Sequence, residues 1–316
     1  MKKWLIISSL FILAGCYSED VYPLNPIESY VAEVDLSQLE YAYSLEQVAI
    51  ETSYGAHENT SIADLIDDVK YINHVYGEVE MFANEEDLLV YLEKQLSKYD
   101  KRIGIIFDSK SAPAFAIESH YKKLMNTHDN ISATLLWYTY GIEKTPKGYF
   151  IDLYNEFTTN NIELVTINKE MDNIMANLKL DGLSDLDKLK IIYQYVMDQM
   201  TYVDGGLLMH HSPMGFIKGE GVCQAYAVSL QMLLERAGFE SRYIIGEIHE
   251  NLLNEGESGA HAWNMVKLDG NWYHLDATWD DEEPQWKYFL LSDTGMSFSR
   301  SWETNYYDIA EMTYIN

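Results

Sequence analysis

The dipeptide Asp269-Gly270 constrains this chain more than any other feature, because it stands between two runs suited to strands. Residues 260–268 and 271–279 are both rich in aromatic and β-branched side chains, the composition of a pleated, half-buried surface. Asp-Gly between two such runs marks a two-residue type I′ turn, in which both central residues take positive φ. A turn of that length sets the register. Leu268 then faces Asn271, and counting back pairs Trp263 with Asp276 and His261 with Thr278. Side chains alternate between the faces of a sheet, so His261, Trp263, Trp272, His274, Asp276 and Thr278 share one face. His261 and Asp276 become diagonal neighbours, roughly 7–8 Å apart and within reach of longer side chains. Ala262, Asn264, Val266, Tyr273, Leu275 and Ala277 take the opposite face, whose mostly apolar character marks it as the side packed on a core.

Upstream, Gly219-Glu220-Gly221-Val222-Cys223 breaks regular structure just before a helical pattern. Apolar side chains at Tyr226, Leu230, Leu233, Leu234 and Ala237 fall on one helical face, and Gly238 supplies a stop that tolerates the left-handed region. Cys223 therefore lies at or just inside a helix N-terminus, where free N–H groups and the positive end of the macrodipole favour an anion. Thiolate is the form a cysteine nucleophile needs. Cysteine, histidine and carboxylate are the parts of a thiol nucleophile, its general base and the group that orients the base. Each has a plainer reading by itself: a cysteine is often a small buried hydrophobe, and a strand histidine is usually a packing or surface residue. Two independent inferences, the helix-start cysteine and the co-facial pair, converge on chemistry instead. His274 is the internal rival to His261, since it shares that face.

Three blocks now carry a resemblance. Gly219-Glu220-Gly221-Val222-Cys223-Gln224-Ala225-Tyr226-Ala227, His261-Ala262-Trp263-Asn264 and Trp272-Tyr273-His274-Leu275-Asp276-Ala277-Thr278-Trp279-Asp280 resemble, in order and spacing, the transglutaminase-like superfamily. Glu220 departs from it, where lysine or another residue is common. The resemblance is specific over these blocks and extends from roughly residue 185 to the end. It implies an α+β, papain-like core, a Cys-bearing helix packed on an antiparallel sheet bearing His and Asp, with Cys223 as nucleophile, His261 as base and Asp276 as orienter. The Cys223 backbone N–H suits an oxyanion. Tyr202 and Gln224 are candidates for the second donor, and Trp263 and Thr278 for lining the site.

The start of the chain reads as an address. Lys2-Lys3 form a basic n-region, Trp4 to Ile12 an apolar h-region, and Leu13-Ala14-Gly15-Cys16 resembles a bacterial lipobox. Residues 1–15 are expected to be a lipoprotein signal peptide and Cys16 the lipidated new N-terminus, placing the protein on a cell membrane facing outside the cytoplasm. The sequence holds two cysteines, so Cys223 is then the only thiol. A solitary thiol outside the cytoplasm is an oxidation risk, which favours a chemical reason for keeping it. The formal net charge of −28 repels phosphate backbones, so nucleic acid is not expected as a partner.

Residues 16–39, with Pro23 and Pro26, read as a tether. Residues 40–167 read as a small α/β domain, with helices over 61–75, 84–99 and 114–125 and strands over 102–107, 132–142 and 149–157. Its tyrosines suit packing better than a ligand cage. Residues 168–316 form the transglutaminase-like domain, with a capped helix from Ser184 to about Met200, a loop over 203–218 and a last strand over 286–291. His210-His211 lack the spacing of a zinc motif, and Asp280-Asp281-Glu282-Glu283 lack that of a calcium loop. Neither a metal nor any other cofactor is expected.

The expected function is a surface-anchored thiol enzyme acting on amide bonds of a peptide or protein substrate at the cell envelope. The chain runs only about forty residues past Asp276, without room for the calcium sites and extra β-domains of tissue-type enzymes, so hydrolysis is expected over cross-linking. Protein cross-linking and a non-catalytic surface scaffold with a vestigial triad stand as the alternatives.

Overall fold

The computed structural model describes residues 80–108, 114–145, 148–203, 205–249, 259–281 and 285–315. The expected leader, Cys16, the tether and the helix over 61–75 lie outside the described residues.

The first described unit runs β1 (Glu80–Phe82), α1 (Glu85–Leu96), β2 (Arg102–Phe107), α2 (Ala114–Thr127), α3 (Asp129–Ser132), β3 (Leu135–Thr145) and β4 (Gly148–Phe157). Asn84 starts α1 by accepting the Asp87 N–H at 2.9 Å, the standard device for satisfying an orphan donor. Leu88, Leu92 and Leu96, spaced by one turn, bury its inner face. The sheet order is β1-β2-β4-β3, with β1 parallel to β2 and the other pairs antiparallel. Its tyrosines pack. Tyr121 stacks on Tyr138 with centroids 3.9 Å apart and donates its hydroxyl to Asn155 at 2.7 Å.

The second unit continues with α4 (Asn161–Leu178), α5 (Asp185–Gln199), β5 (Thr201–Tyr202), a 3₁₀ turn (Leu208–His211), α6 (Pro213–Lys218), β6 (Glu220–Gly221) and α7 (Cys223–Arg236). It ends with β7 (Ser241–Ile248), β8 (Gly259–Leu268), β9 (Asn271–Leu275), α8 (Ala277–Asp281), β10 (Phe289–Leu291), α9 (Asp293–Met296), β11 (Arg300–Trp302) and a 3₁₀ turn (Thr304–Tyr306). Five strands form one antiparallel sheet in the order β10-β9-β8-β7-β11. The boundary expected at 167 falls inside α4, because Ile167 and Met171 bury in the second core. The stretch expected as a loop over 203–218 instead holds the 3₁₀ turn and α6, the latter capped by Ser212, which accepts from Met214 N–H at 3.1 Å.

The hairpin turns at Asp269 (φ 51°) and Gly270 (φ 83°), both positive as a type I′ turn requires. Leu268 faces Asn271 and Val266 faces Tyr273. The second strand does not run to Trp279: it stops at Leu275 and α8 follows. Asp276 is the reason, since its Oδ1 accepts the Trp279 N–H at 3.3 Å and so caps the helix that the aromatic and β-branched residues beyond it would otherwise extend as strand. One face of the sheet, with Val266, Leu268, Tyr273 and Leu275, packs on Tyr226, Leu230, Leu233 and Leu234 of α7 and on Ile192, Tyr193 and Val196 of α5. Each fully buried leucine or isoleucine there contributes about 1.5–3 kcal/mol. The other face gathers Ile244, Trp263, Met265, Tyr288 and Met296.

Candidate active site

Cys223 is the first residue of α7 and is fully buried. It shares an apolar cluster with Ala227, Val228, Tyr243 and Ala262. Ala262 precedes Trp263 and follows His261 on β8, so the thiol packs beside the strand segment that carries the histidine. His261 is nearly buried, and its Nε2 lies 2.8 Å from Asp276 Oδ2. A carboxylate on Nε2 selects the tautomer in which that nitrogen carries the hydrogen and Nδ1 is the basic one. The sequence register made these two residues diagonal neighbours; the helix cap at Asp276 turns its carboxylate so that it meets the ring directly.

Around the pair the environment is aromatic. The Trp263 ring lies 5.9 Å from that of His261, nearly parallel to it, and Trp279 stands edge-on at 6.5 Å. Thr278, expected on the strand, is buried in α8 instead. Burial alone would push the Asp276 carboxyl up, but His261 and Arg300 outweigh it and hold it at about 2. Asp280, at the other end of α8, is pushed by burial up to about 6, although it accepts hydrogen bonds from the Tyr193 hydroxyl and the Lys287 and Tyr288 N–H groups.

His274, the rival on the same face, is tied into a different network. Its Nδ1 lies 3.1 Å from Trp263 Nε1 and its Nε2 2.9 Å from Asp293 Oδ1. An indole nitrogen only donates, so Nδ1 accepts and Nε2–H donates to Asp293. Burial lowers the pKa of His274 despite Asp293. Both ring nitrogens are spent on structure.

Of the two candidate oxyanion donors, Gln224 is buried beside the nucleophile, with its Oε1 2.6 Å from His211 Nδ1. His211 in turn places Nε2 2.9 Å from the Gly205 carbonyl. Tyr202 is half-buried, with its ring 6.5 Å from that of Tyr226. His210 lies 3.3 Å from Glu220, apart from the His211 network. Among the described residues no group of three His, Cys, Asp or Glu side chains could hold a metal ion.

Arg300 was not legible in advance. It is buried on β11, with Nη2 2.8 Å and Nε 3.3 Å from Asp276 Oδ2. No local pattern distinguishes this arginine from the chain's other cations; only the pairing of β11 with β7 brings it to the site.

A mixed α+β domain that sets a buried helix-start cysteine beside a sheet bearing a hydrogen-bonded histidine and carboxylate is of the papain-like class. Residues 173–277, about a third of the chain, match the family model described as the transglutaminase-like superfamily. That segment is similar to a transglutaminase-like domain. Two solved structures are similar in part. One is a candidate cysteine protease from Cytophaga hutchinsonii, with TM-score 0.30 and 15% identity over 42% of this chain and 55% of that one. The other is a TGase, with TM-score 0.31 and 13% identity over 63% of this chain and 58% of that one. The present chain thus spans little more than half the length of each. No curated protein sequence matches it.

Proposed function

We propose that this protein is a thiol amidohydrolase, with Cys223 as nucleophile, His261 as proton carrier and Asp276 as the group that orients the ring. The observation that carries the reading is the 2.8 Å contact from His261 Nε2 to Asp276 Oδ2, together with a helix-start cysteine that packs in one cluster with Ala262, the strand neighbour of His261. Cys223 Sγ attacks an amide carbonyl, its proton having passed to His261 Nδ1. The C–N bond breaks as His261 returns that proton to the leaving amine, and a thioester remains. The developing oxyanion is met by the Cys223 N–H at the helix start, with Gln224 as the second donor. Water, rather than a protein amine, is the proposed acyl acceptor that resolves the thioester. The substrate is a peptide or protein amide at the cell envelope. Lys2-Lys3, the apolar run and Leu13-Ala14-Gly15-Cys16 support export and a lipid on Cys16. Cys16→Ala should abolish labelled-palmitate incorporation, and unchanged labelling would remove the anchor.

The test of the chemistry uses two measurements on the full chain. Iodoacetamide should label Cys223 stoichiometrically at mildly acidic pH, where an ordinary thiol is inert. Acyl-enzyme should be captured from envelope extracts by the wild type but not by Cys223→Ser, and its release in ¹⁸O-water should mark the product carboxylate. Release only with added amine would replace hydrolysis by transfer, and capture by Cys223→Ser would remove the nucleophile.

A further inference from the structure

Arg300 lies beyond the matched segment of residues 173–277, yet it reaches the centre of the site. Its Nη2 and Nε converge on Asp276 Oδ2 at 2.8 and 3.3 Å, the same oxygen that His261 Nε2 meets at 2.8 Å. Nη1 donates to Ser299 Oγ at 2.8 Å, and the guanidinium carbon sits 4.2 Å over the Trp279 ring and 4.7 Å over the Tyr288 ring. Trp279 thereby lies against both the arginine and His261. Neither member of the Arg300–Asp276 pair exposes its side chain. A buried ion pair of this kind adds little net stability over apolar packing of the same shape, so stability does not account for placing one on the carboxylate that faces His261.

Resting on the reading of Cys223, His261 and Asp276 as one site, we propose that Arg300 is its positioning residue: the guanidinium aims Asp276 at His261, and its charge limits how firmly the Asp276–His261 couple holds a proton. A lone buried carboxylate would favour the imidazolium strongly, and a ring that must give its proton to a leaving amine would be slow to release it. A cation on the shared oxygen offsets that pull. Removing the cation raises the couple's proton affinity whichever partner carries the proton. The other titratable groups around the couple are Asp280 on α8, Tyr193 on α5 and Cys223 at the head of α7, and the substitution leaves all three in place.

The experiment follows the His261 ring carbon by NMR across pH in ¹³C-histidine-labelled full-length protein, with the signal assigned by its loss in His261→Gln. Arg300→Gln should raise the titration midpoint by about one pH unit. Arg300→Lys, which keeps the charge, should stay with the wild type. Arg300→Met, which retains a stem between the two rings, is the charge-free variant should the Gln protein fail to fold by circular dichroism. Coincident midpoints for wild type and a charge-free variant would overturn the proposal, as would a Lys protein displaced as far as the charge-free one. Iodoacetamide labelling of the same samples keeps the two readings apart. An unreactive wild-type thiol removes the thiol chemistry, whereas a reactive thiol with unmoved midpoints removes only Arg300.

Discussion

Asp276 and Asp280 bracket α8, both buried, and their carboxyls move in opposite directions. Burial opposes the charge at each. At Asp276 two cationic or proton-donating partners overcome it; at Asp280 the partners are a hydroxyl and two N–H groups, and burial wins. The consequences for stability differ in sign. Asp276, held at about 2, contributes stability that is fully present above the ordinary carboxylate pKa of about 3.9 and is lost as pH falls toward 2. Asp280 keeps its proton up to about 6 in the folded state, so its ionisation destabilises the fold as pH rises from about 4 to 6, by on the order of 2–3 kcal/mol. Asp280→Asn removes that ionisation while keeping an acceptor for the Lys287 and Tyr288 N–H groups. Its melting temperature should exceed the wild type's at pH 8 and converge with it near pH 4. A lower value at pH 8 would mean that the carboxylate's hydrogen bonds outweigh its desolvation.

The β8–β9 hairpin is the element on which the site hangs. Its turn needs two residues with positive φ, and the cost of other residues there is conformational: a Cβ on Gly270 would meet no atom within 4 Å. Gly270→Ala should therefore cost about 1 kcal/mol through the backbone alone, whereas Asp269→Asn should be nearly neutral, because Asn-Gly suits the same turn. Urea unfolding reads both, and equal losses at the two positions would argue against a type I′ turn as the determinant of register. The turn, the pairing from Leu268 to Asn264 and the apolar face toward α7 were all legible in the sequence, because they depend on short-range chemistry and period-two alternation. The end of β9 was not. Thr278 and Trp279 favour strand by propensity, and the cap made by Asp276 overrode it.

At the scale of the whole molecule, Asp129 of α3 couples the two units. Its carboxylate accepts from Gln231 Nε2 at 2.8 Å, Arg242 Nε at 3.1 Å and the Tyr243 N–H at 2.9 Å. Asn126 adds a carbonyl to Arg242 Nη2 at 3.2 Å and its Oδ1 to the Tyr307 hydroxyl at 3.2 Å. Ala133 packs in the same cluster as Cys223 and Tyr243, so the first unit covers part of the nucleophile's surroundings. Asp129→Ala leaves the Arg242 Nε–H and the Tyr243 N–H without their acceptor, at a cost of about 3 kcal/mol. Calorimetry should show one transition in the wild type and two in the variant. A single transition in both would place the coupling in the apolar contacts instead.

Local pattern determined what local physics controls: the helix that Cys223 opens, the hairpin and its faces, the caps at Asn84 and Ser184, and the candidacy of Cys223, His261 and Asp276. These follow from periodicity, turn conformation and capping, each settled within a few neighbouring residues. Tertiary structure alone decided which histidine meets Asp276 and which is tied to Asp293, since His261 and His274 share a face and differ in what packs against them. It also decided that Arg300 reaches Asp276, that Asp280 keeps its proton up to about pH 6, and that Asp129 joins the two units. Those outcomes depend on charge placed in a medium emptied of water by packing between segments far apart in the chain, and no short stretch of sequence encodes that.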